Sequence, residues 1–502
     1  MRGVRISIAL AVLAGCSNRP DAAPPPPAAP LAAIGDTKLA SLRGVTPIVD
    51  ATFGSPTGLV WGPRLVAWVE RDAAGMHVVA NGRAARTFDK IEELNLARDG
   101  ALSYIGFDRS GAHVVHGDDV GPAFESVLIL HHDWVDAPFV YIGRRNLTER
   151  LVVAGVLGPE VSSVDILRLD WLPGHQPVYE AEIESAHHVV IGTELGPAYT
   201  TLGYLQVGGA RVGYSAIDAT GSYAFVGRAA GRRYDTVGDI RMGSTGLLGY
   251  EGGRAGKFYA VIGAREEGPY DRVMYFAFAG EHYAYDARIG ERWFVVVDGK
   301  RGQDFPWVAG EPVFSSDGTH VAYVASPKED DHNPALLVRD GRAGTTWDDI
   351  AFPTWSHDGA HLAYSARGAD RKYRVVVDGV PGEPFDSVGG VEFGADGTVH
   401  YEAQRSPRWC VVSGTLPACY ADVGEPNMIA GAHAYNFILD RTGAHLAFRA
   451  QVEHAWTMVI DGKPEAAADE VGQPAFSADG TTISWGERRG DDLWWRVARV
   501  GH

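Results

Sequence analysis

Along most of this chain, short apolar runs alternate with clusters of Gly, Asp, Ser and Asn, and no long amphipathic helical pattern interrupts them. One recurring piece is an apolar run closed by a residue plus glycine, as in "MHVVANG", "RLVVAG", "FYAVIG", "WFVVVDG", "YRVVVDG" and "WTMVIDG". The closing glycines are Gly82, Gly117, Gly155, Gly192, Gly227, Gly263, Gly299, Gly341, Gly379, Gly414 and Gly462, with a mean spacing of 38 residues. A second piece keeps the same period. It is a strand carrying an aromatic: Trp68, Tyr104, Tyr141, Tyr179, Tyr214, Tyr250, Tyr285, Tyr323, Tyr364, Tyr401, Phe448 and Trp485. Two markers in phase over the whole array identify repeated structural units rather than coincidence.

In the eighth unit the pattern resolves into "EPVFS", "HVAYVAS", "ALLVRD" and "TTWDDI", separated by Ser-Asp-Gly, an acidic loop and Asp-Gly. Four short strands per unit, with turn chemistry between them, predict a propeller blade. The expected fold is all-β: a β-propeller of about twelve four-stranded blades, where rings typically hold about four to eight. That excess predicts two consecutive propellers, residues 45–275 and 276–502. A five-plus-seven division and an inserted ring are the other arrangements. The twelfth unit stops after its third strand, at "DLWWRVARVGH", so its outer strand is expected from "GVTPIVDATF", residues 44–53.

The stretches "PVFSSDGTHVAY", "PTWSHDGAHLAY" and "PAFSADGTTISW" resemble the WD40-like blade repeat of TolB-type periplasmic propellers. The resemblance is strong over residues 290–500 and weaker, though in phase, over 58–290. It implies a propeller with a binding role and carries over no catalytic residues, because that motif is structural.

Taken alone, "SSDGTH" looks like a catalytic cluster. Comparison within the chain reads it as a turn. Units 8, 9, 10 and 12 carry "SSDG", "SHDG", "GADG" and "SADG" at the first turn, and unit 11 carries "DRTG". Glycine persists while serine and aspartate come and go, as tight-turn geometry requires. Asp298, Asp340, Asp378 and Asp461 precede second-turn glycines, where other units have Asn81, His116, Ala154 or Ser413. They read as hairpin residues too. His282, His320, His361 and His445 share one position, three residues before the strand aromatic. They are the candidate metal ligands, yet equivalent residues on blades about 10 Å apart converge on one ion only near the axis. A rim of partly exposed histidines is therefore expected, with no metal and no cofactor. The acidic loop "KEDDHNP" and the pairs His131–His132 and His187–His188 read as solvated or strand-end positions, since neighbours on a strand face opposite ways.

At the N-terminus, Arg2 and Arg5 precede an apolar run from Ile6 to Leu13, too short to span a bilayer. "LAGC", Leu13–Cys16, resembles a bacterial lipobox. The resemblance implies a signal peptide over 1–15, lipid attachment at Cys16 and, with Ser17 following, sorting to the outer membrane. The Pro/Ala-rich stretch within residues 16–44 reads as a tether. The expected location is the bacterial cell envelope, facing periplasm or exterior, with the membrane met only through the anchor. The formal charge of −18 argues against nucleic acid. Cys410 and Cys419 flank a turn at Ser413–Gly414, and an oxidising compartment makes a cross-strand disulfide the default.

No G-x-S-x-G elbow, H-E-x-x-H, P-loop, dinucleotide fingerprint or EF-hand loop is present. The leading expectation is a non-enzymatic, lipid-anchored propeller that binds an envelope protein, peptide or glycan at its loop face or channel. A lyase or hydrolase with a site in a propeller channel is the alternative, and a purely structural envelope component is the third. Carboxylates, histidines and arginines converging on the channel would mark the enzyme, and an apolar or aromatic patch there would mark the binder.

Overall fold

The computed structural model of the chain describes residues 35–43, 45–49, 58–62, 64–97, 100–130, 138–328, 334–414, 416–421, 437–452, 455–477 and 479–500. Cys16 and the expected signal segment, His131–His132 and most of the acidic loop lie outside the described residues.

Twelve antiparallel sheets follow one another, eleven of four strands and one of five. Blades 1 to 6 cover residues 60–88, 90–120, 126–157, 163–195, 201–234 and 236–270. Blades 7 to 12 cover 272–301, 307–347, 349–381, 387–420, 437–464 and 470–499. Within each of the first eleven, strands pair in chain order, and first strands pack on one another between blades 1 and 2 and from blade 4 through blade 10. The second turn explains the Asn-Gly and Asp-Gly pairs. Asn81 and Gly82 have φ of 46° and 76°, and Asp298 and Gly299 have 48° and 75°. Both central residues are thus left-handed, which a tight two-residue hairpin needs and which Asn, Asp and Gly tolerate best.

The seams between blades explain the aromatic period. Every marker aromatic is at most 5% exposed. In most seams it receives, edge-on, an aromatic from near the outer strand of the preceding blade. Phe88 meets Tyr104, Phe124 meets Tyr141, Tyr199 meets Tyr214, Tyr234 meets Tyr250 and Tyr270 meets Tyr285. Phe305 meets Tyr323, Phe385 meets Tyr401 and Tyr420 meets Phe448, so that ring centroids throughout lie 5.5–6.4 Å apart. Edge-to-face pairs add about 0.5–1.5 kcal/mol beyond the area they bury. The aspartates that follow three of these outer aromatics tie the seam from outside. Asp235, Asp271 and Asp386 accept the amides of Ala255, Gly290 and Ser406 in the next blade.

These seams correct the expected division into two propellers. The Tyr270–Tyr285 pair crosses the expected boundary at residue 275 with the same geometry as any other seam, and the first strands of blades 6 and 7 pack there. The twelve blades form a single ring. It closes between blade 12 and blade 1: Trp61 Nε1 donates to Glu470 Oε1 at 2.9 Å, and its ring lies over Gly472 and Gly486.

The outer strand of blade 12 does come from the N-terminal region, but from Gly35–Ser41 rather than from 44–53. It pairs antiparallel with Asp492–Arg499, and residues 45–49 lie in no strand. The expected tether, 16–44, therefore ends inside the ring. Alternation explains the choice. Asp36 reaches Arg496 at 2.6 Å and Lys38 reaches Asp492 at 2.8 Å, while Leu39, Ala40, Leu42 and Val45 pack with Leu493, Trp68 and Val79. In blade 10 the sulfurs of Cys410 and Cys419, register partners on its third and outer strands, are 1.98 Å apart.

Candidate functional site

The repeated turns are built for structure. The buried Ser315 hydroxyl donates to Asp317 Oδ1 at 2.6 Å, and Asp317 also accepts the Thr319 amide. These bonds, the serine's first, hold the Asp317 carboxyl down at about 2. Ser356 with Asp358 and Ser477 with Asp479 repeat the arrangement. The four histidines answer to the second-turn aspartates. Nδ1 of His282, His320, His361 and His445 lies 2.8, 2.8, 2.6 and 2.8 Å from Oδ2 of Asp298, Asp340, Asp378 and Asp461. The other oxygen of each aspartate accepts the amide just after the histidine, at 3.0–3.1 Å. Each pair therefore clamps the two turns on one face of its own blade. The Asp378 carboxylate raises His361 above the usual imidazole range. Among the described residues no group of three His, Cys, Asp or Glu is placed to hold a metal ion. His187 and His188 point apart, to Glu180 and to the Gly196 carbonyl.

The feature the repeat pattern does not announce lies on the first, innermost strand of blades 2 and 4 to 10. Its pairing with the second strand slips at a β-bulge, and in blades 2, 4, 6, 7, 8 and 9 the residue straddled is the marker tyrosine. Blades 5 and 10 slip one position later, opposite Ser215 and Glu402. Such bulges bend a strand and re-aim its side chains, and they gather beside functional surfaces. Here they project side chains from the inner wall of the ring.

Two stretches of that wall differ in kind. On blades 3, 4 and 5 the first strands expose Leu128, Leu167 and Tyr204, at 46%, 88% and 52%. Blade 4 is exceptional. Its pairing jumps from Asp165–Glu180 to Asp170–Val178, so residues 166–169 arch out opposite Tyr179 with Leu167 near the crest. The arch is fastened at its base. Asp165 accepts the Leu167 amide at 2.9 Å. Arg168 donates to Glu180 at 2.6 Å and to the carbonyls of Leu202 and Gly203, beside Tyr204 in blade 5. Leu167 and Tyr204 are thus held on neighbouring bulges.

On blades 6, 7 and 8 the wall is charged and withdrawn. Asp239 stands at the blade 6 bulge with φ of 40°, and its carboxylate accepts the amide of Tyr275 at the blade 7 bulge. Arg241 reaches past blade 7 to pair with Glu311 in blade 8. Between them Asp286, on the second strand of blade 7, is wholly buried, and neither carboxyl oxygen has a hydrogen-bond partner. Burial first, then the nearness of Asp239 and Glu311, pushes the Asp286 carboxyl well above the usual carboxylate range. Burial also raises Asp239, Glu251 and Glu311, in the last case against Arg241.

The position directly after the marker aromatic carries part of this signal. It reads Val69, Ile105 and Ile142 in blades 1 to 3, then Glu180, Ser215, Glu251 and Asp286 in blades 4 to 7. Blade 8 returns to Val324, and blades 9 to 12 carry Ser365, Glu402, Arg449 and Gly486 there, so the change from aliphatic to polar at blade 4 was visible in the sequence but did not single out blades 4 to 7. Asp239, Glu311, Leu167 and Tyr204 had no such signal, because a bulge breaks the alternation that would have assigned their faces.

No family model matches this chain, and no curated protein matches it. It is similar to solved structures at low identity. A eukaryotic initiation factor structure aligns over 64% of this chain and 95% of its own, at 11% identity and a TM-score of 0.35. TolB from Acinetobacter baumannii aligns over 60% and 80%, at 11% and 0.23. PorZ, a bacterial surface component of the type-IX secretion system of Porphyromonas gingivalis, aligns over 86% and 78%, at 10% and 0.23. Likenesses of this size carry no argument about what the chain does.

Proposed function

We propose that this chain is a non-enzymatic binding protein of the bacterial cell envelope, lipid-anchored through Cys16. In this reading it takes an extended, apolar segment of another envelope protein against the inner wall of blades 3 to 5. The observation that carries the reading is the exposed row of Leu128, Leu167 and Tyr204 on three consecutive innermost strands. Leaving a leucine 88% exposed at the crest of an arch costs apolar burial that the fold does not recover by itself. The fastening of that arch by Asp165 and Arg168 holds it in a fixed place, as a contact residue needs. The "LAGC" stretch, by its resemblance to a lipobox, supports the anchor and the location.

A lyase or hydrolase would need an acid–base pair that substrate can reach. The carboxyls gathered on the wall do not offer one: Asp286 is buried, and Arg241 and Glu311 occupy each other. The binding reading is tested by placing a photo-crosslinking amino acid at Leu167, at Tyr204 and, as control, at Val380, which is 70% exposed on the outer strand of blade 9. Irradiation of cells is expected to yield one shared protein adduct from positions 167 and 204 and none from 380. Adducts identical at all three positions, adducts to glycan alone, or no adduct would contradict the reading.

A further inference from the structure

We propose that Asp286 is a proton-binding site built into the wall of the ring, and that loss of its proton loosens the seam formed by blades 6, 7 and 8. The inference does not rest on the binding reading. Its geometric basis is the pairing of three facts. Asp286 is 0% exposed, both of its oxygens lack a partner, and the charged group that spans its blade, the Arg241 guanidinium, is already committed to Glu311. A buried carboxylate without a counter-charge or hydrogen bond is among the costliest groups a fold can hold, whereas a neutral carboxylic acid is tolerable.

The surroundings reinforce this from every side. Blade 6 presents Asp239 and Arg241 from its first strand and Glu251 from its second, whose Oε2 is taken by the Val273 amide at 3.4 Å. Blade 7 presents Tyr275 at its own bulge, raised by burial first and then by Asp286 and Asp239. Two residues along its strand, Arg288 is drawn over the Trp293 ring at 5.5 Å. Blade 8 presents Glu311 and Tyr323, the latter pushed up to about 12 by burial and then by Asp286. Acidic and phenolic groups therefore surround Asp286, and the Arg241–Glu311 pair bridges the arc from blade 6 to blade 8.

When the Asp286 carboxyl gives its proton to solvent, a negative charge appears between Asp239 and Glu311. It repels both and competes with Glu311 for Arg241, the side chain that ties blade 6 to blade 8. Because the folded protein holds this proton more tightly than the unfolded chain, the stabilisation is full below the ordinary carboxylate range. It is lost as pH rises through the raised value.

The test compares thermal midpoints of the wild-type ring, Asp286→Asn and Glu311→Gln across pH. Asparagine keeps the shape and cannot ionise. Between about pH 5 and 9 the wild-type midpoint is expected to fall by about 2–5 °C more than that of Asp286→Asn. Glu311→Gln removes a repelling neighbour and frees Arg241, so its fall is expected to be smaller and to level off at lower pH than in wild type. Hydrogen exchange along 236–242 and 307–314, referred to Asp286→Asn at each pH, is expected to quicken over the same interval as the wild-type fall. Parallel profiles for wild type and Asp286→Asn would overturn the proposal. Should Asp286→Asn fail to fold, an unshifted Glu311→Gln profile would overturn it equally.

Discussion

Deleting Gly35–Ser41 is expected to open the ring and to cause the largest loss of stability of any short change to the chain. That strand is the outer edge of blade 12, paired along Asp492–Arg499, and it belongs to a different end of the sequence from the rest of its sheet. Its removal takes away a ladder of backbone bonds, each worth about 1 kcal/mol net, and uncovers Leu493. It also removes the ion pairs of Asp36 with Arg496 and Lys38 with Asp492. A loss of about 4–6 kcal/mol follows from the ladder and the uncovered apolar side chains together. The bared edge would then recruit other chains. Urea denaturation and light scattering are the measurements, with a lower midpoint and larger particles expected. Thr37→Pro, which interrupts the same ladder at one amide, should act in the same direction and less strongly. An unchanged midpoint and a monomeric deletion variant would show that blade 12 does not depend on this strand.

The second large effect belongs to the charged arc. Arg241→Met is expected to cost about 3 kcal/mol, toward the lower end for a broken buried pair, because Arg241 and Glu311 keep 21% and 25% of their side chains in water. The cost arises less from the lost attraction than from leaving Glu311 with Asp239 and Asp286 and no cation between them. Arg241→Met combined with Glu311→Leu should therefore recover most of the loss, since an apolar pair has no charge left to strand. Urea midpoints of the two single variants and the double decide it. A double variant as unstable as the sum of the singles would place the effect in packing rather than in the pair.

The blades were legible in the sequence because each marker has one local cause. Asp298–Gly299 announces a tight hairpin wherever it stands, and Tyr285 announces a buried strand because its ring must meet Tyr270. Ser315, Asp317 and His320 were legible as turn residues by comparing units, and they make the hydrogen bonds of the two turns of their blade. Ring closure was only half legible. The chain's incomplete last unit called for an N-terminal strand, but the choice between Gly35–Ser41 and residues 44–53 depends on which of them places Leu39 on Leu493 and Asp36 on Arg496. The number of rings was not legible, because the seam at residue 275 is made of the same residue types as its neighbours. Nothing local to a blade states how many blades share an axis.

The inner wall was the least legible part, and for a physical reason. Side-chain alternation assigns faces only while pairing stays in step, and the innermost strands of blades 2 and 4 to 10 slip by one or more residues near their middle. Leu167, Asp239 and Glu311 lie inside those slips, and the partners of Asp239 and Glu311 come from other blades rather than from their own unit.

The proton site requires that blades 6 to 8 share one wall, as they do when all twelve blades encircle one axis and not when the chain divides near residue 275. Electron-microscopy class averages of the purified protein, viewed down that axis, test this most directly. The structure predicts a single ring of twelve radial sheets around one central opening. Two smaller rings side by side, dividing near residue 275, would contradict it.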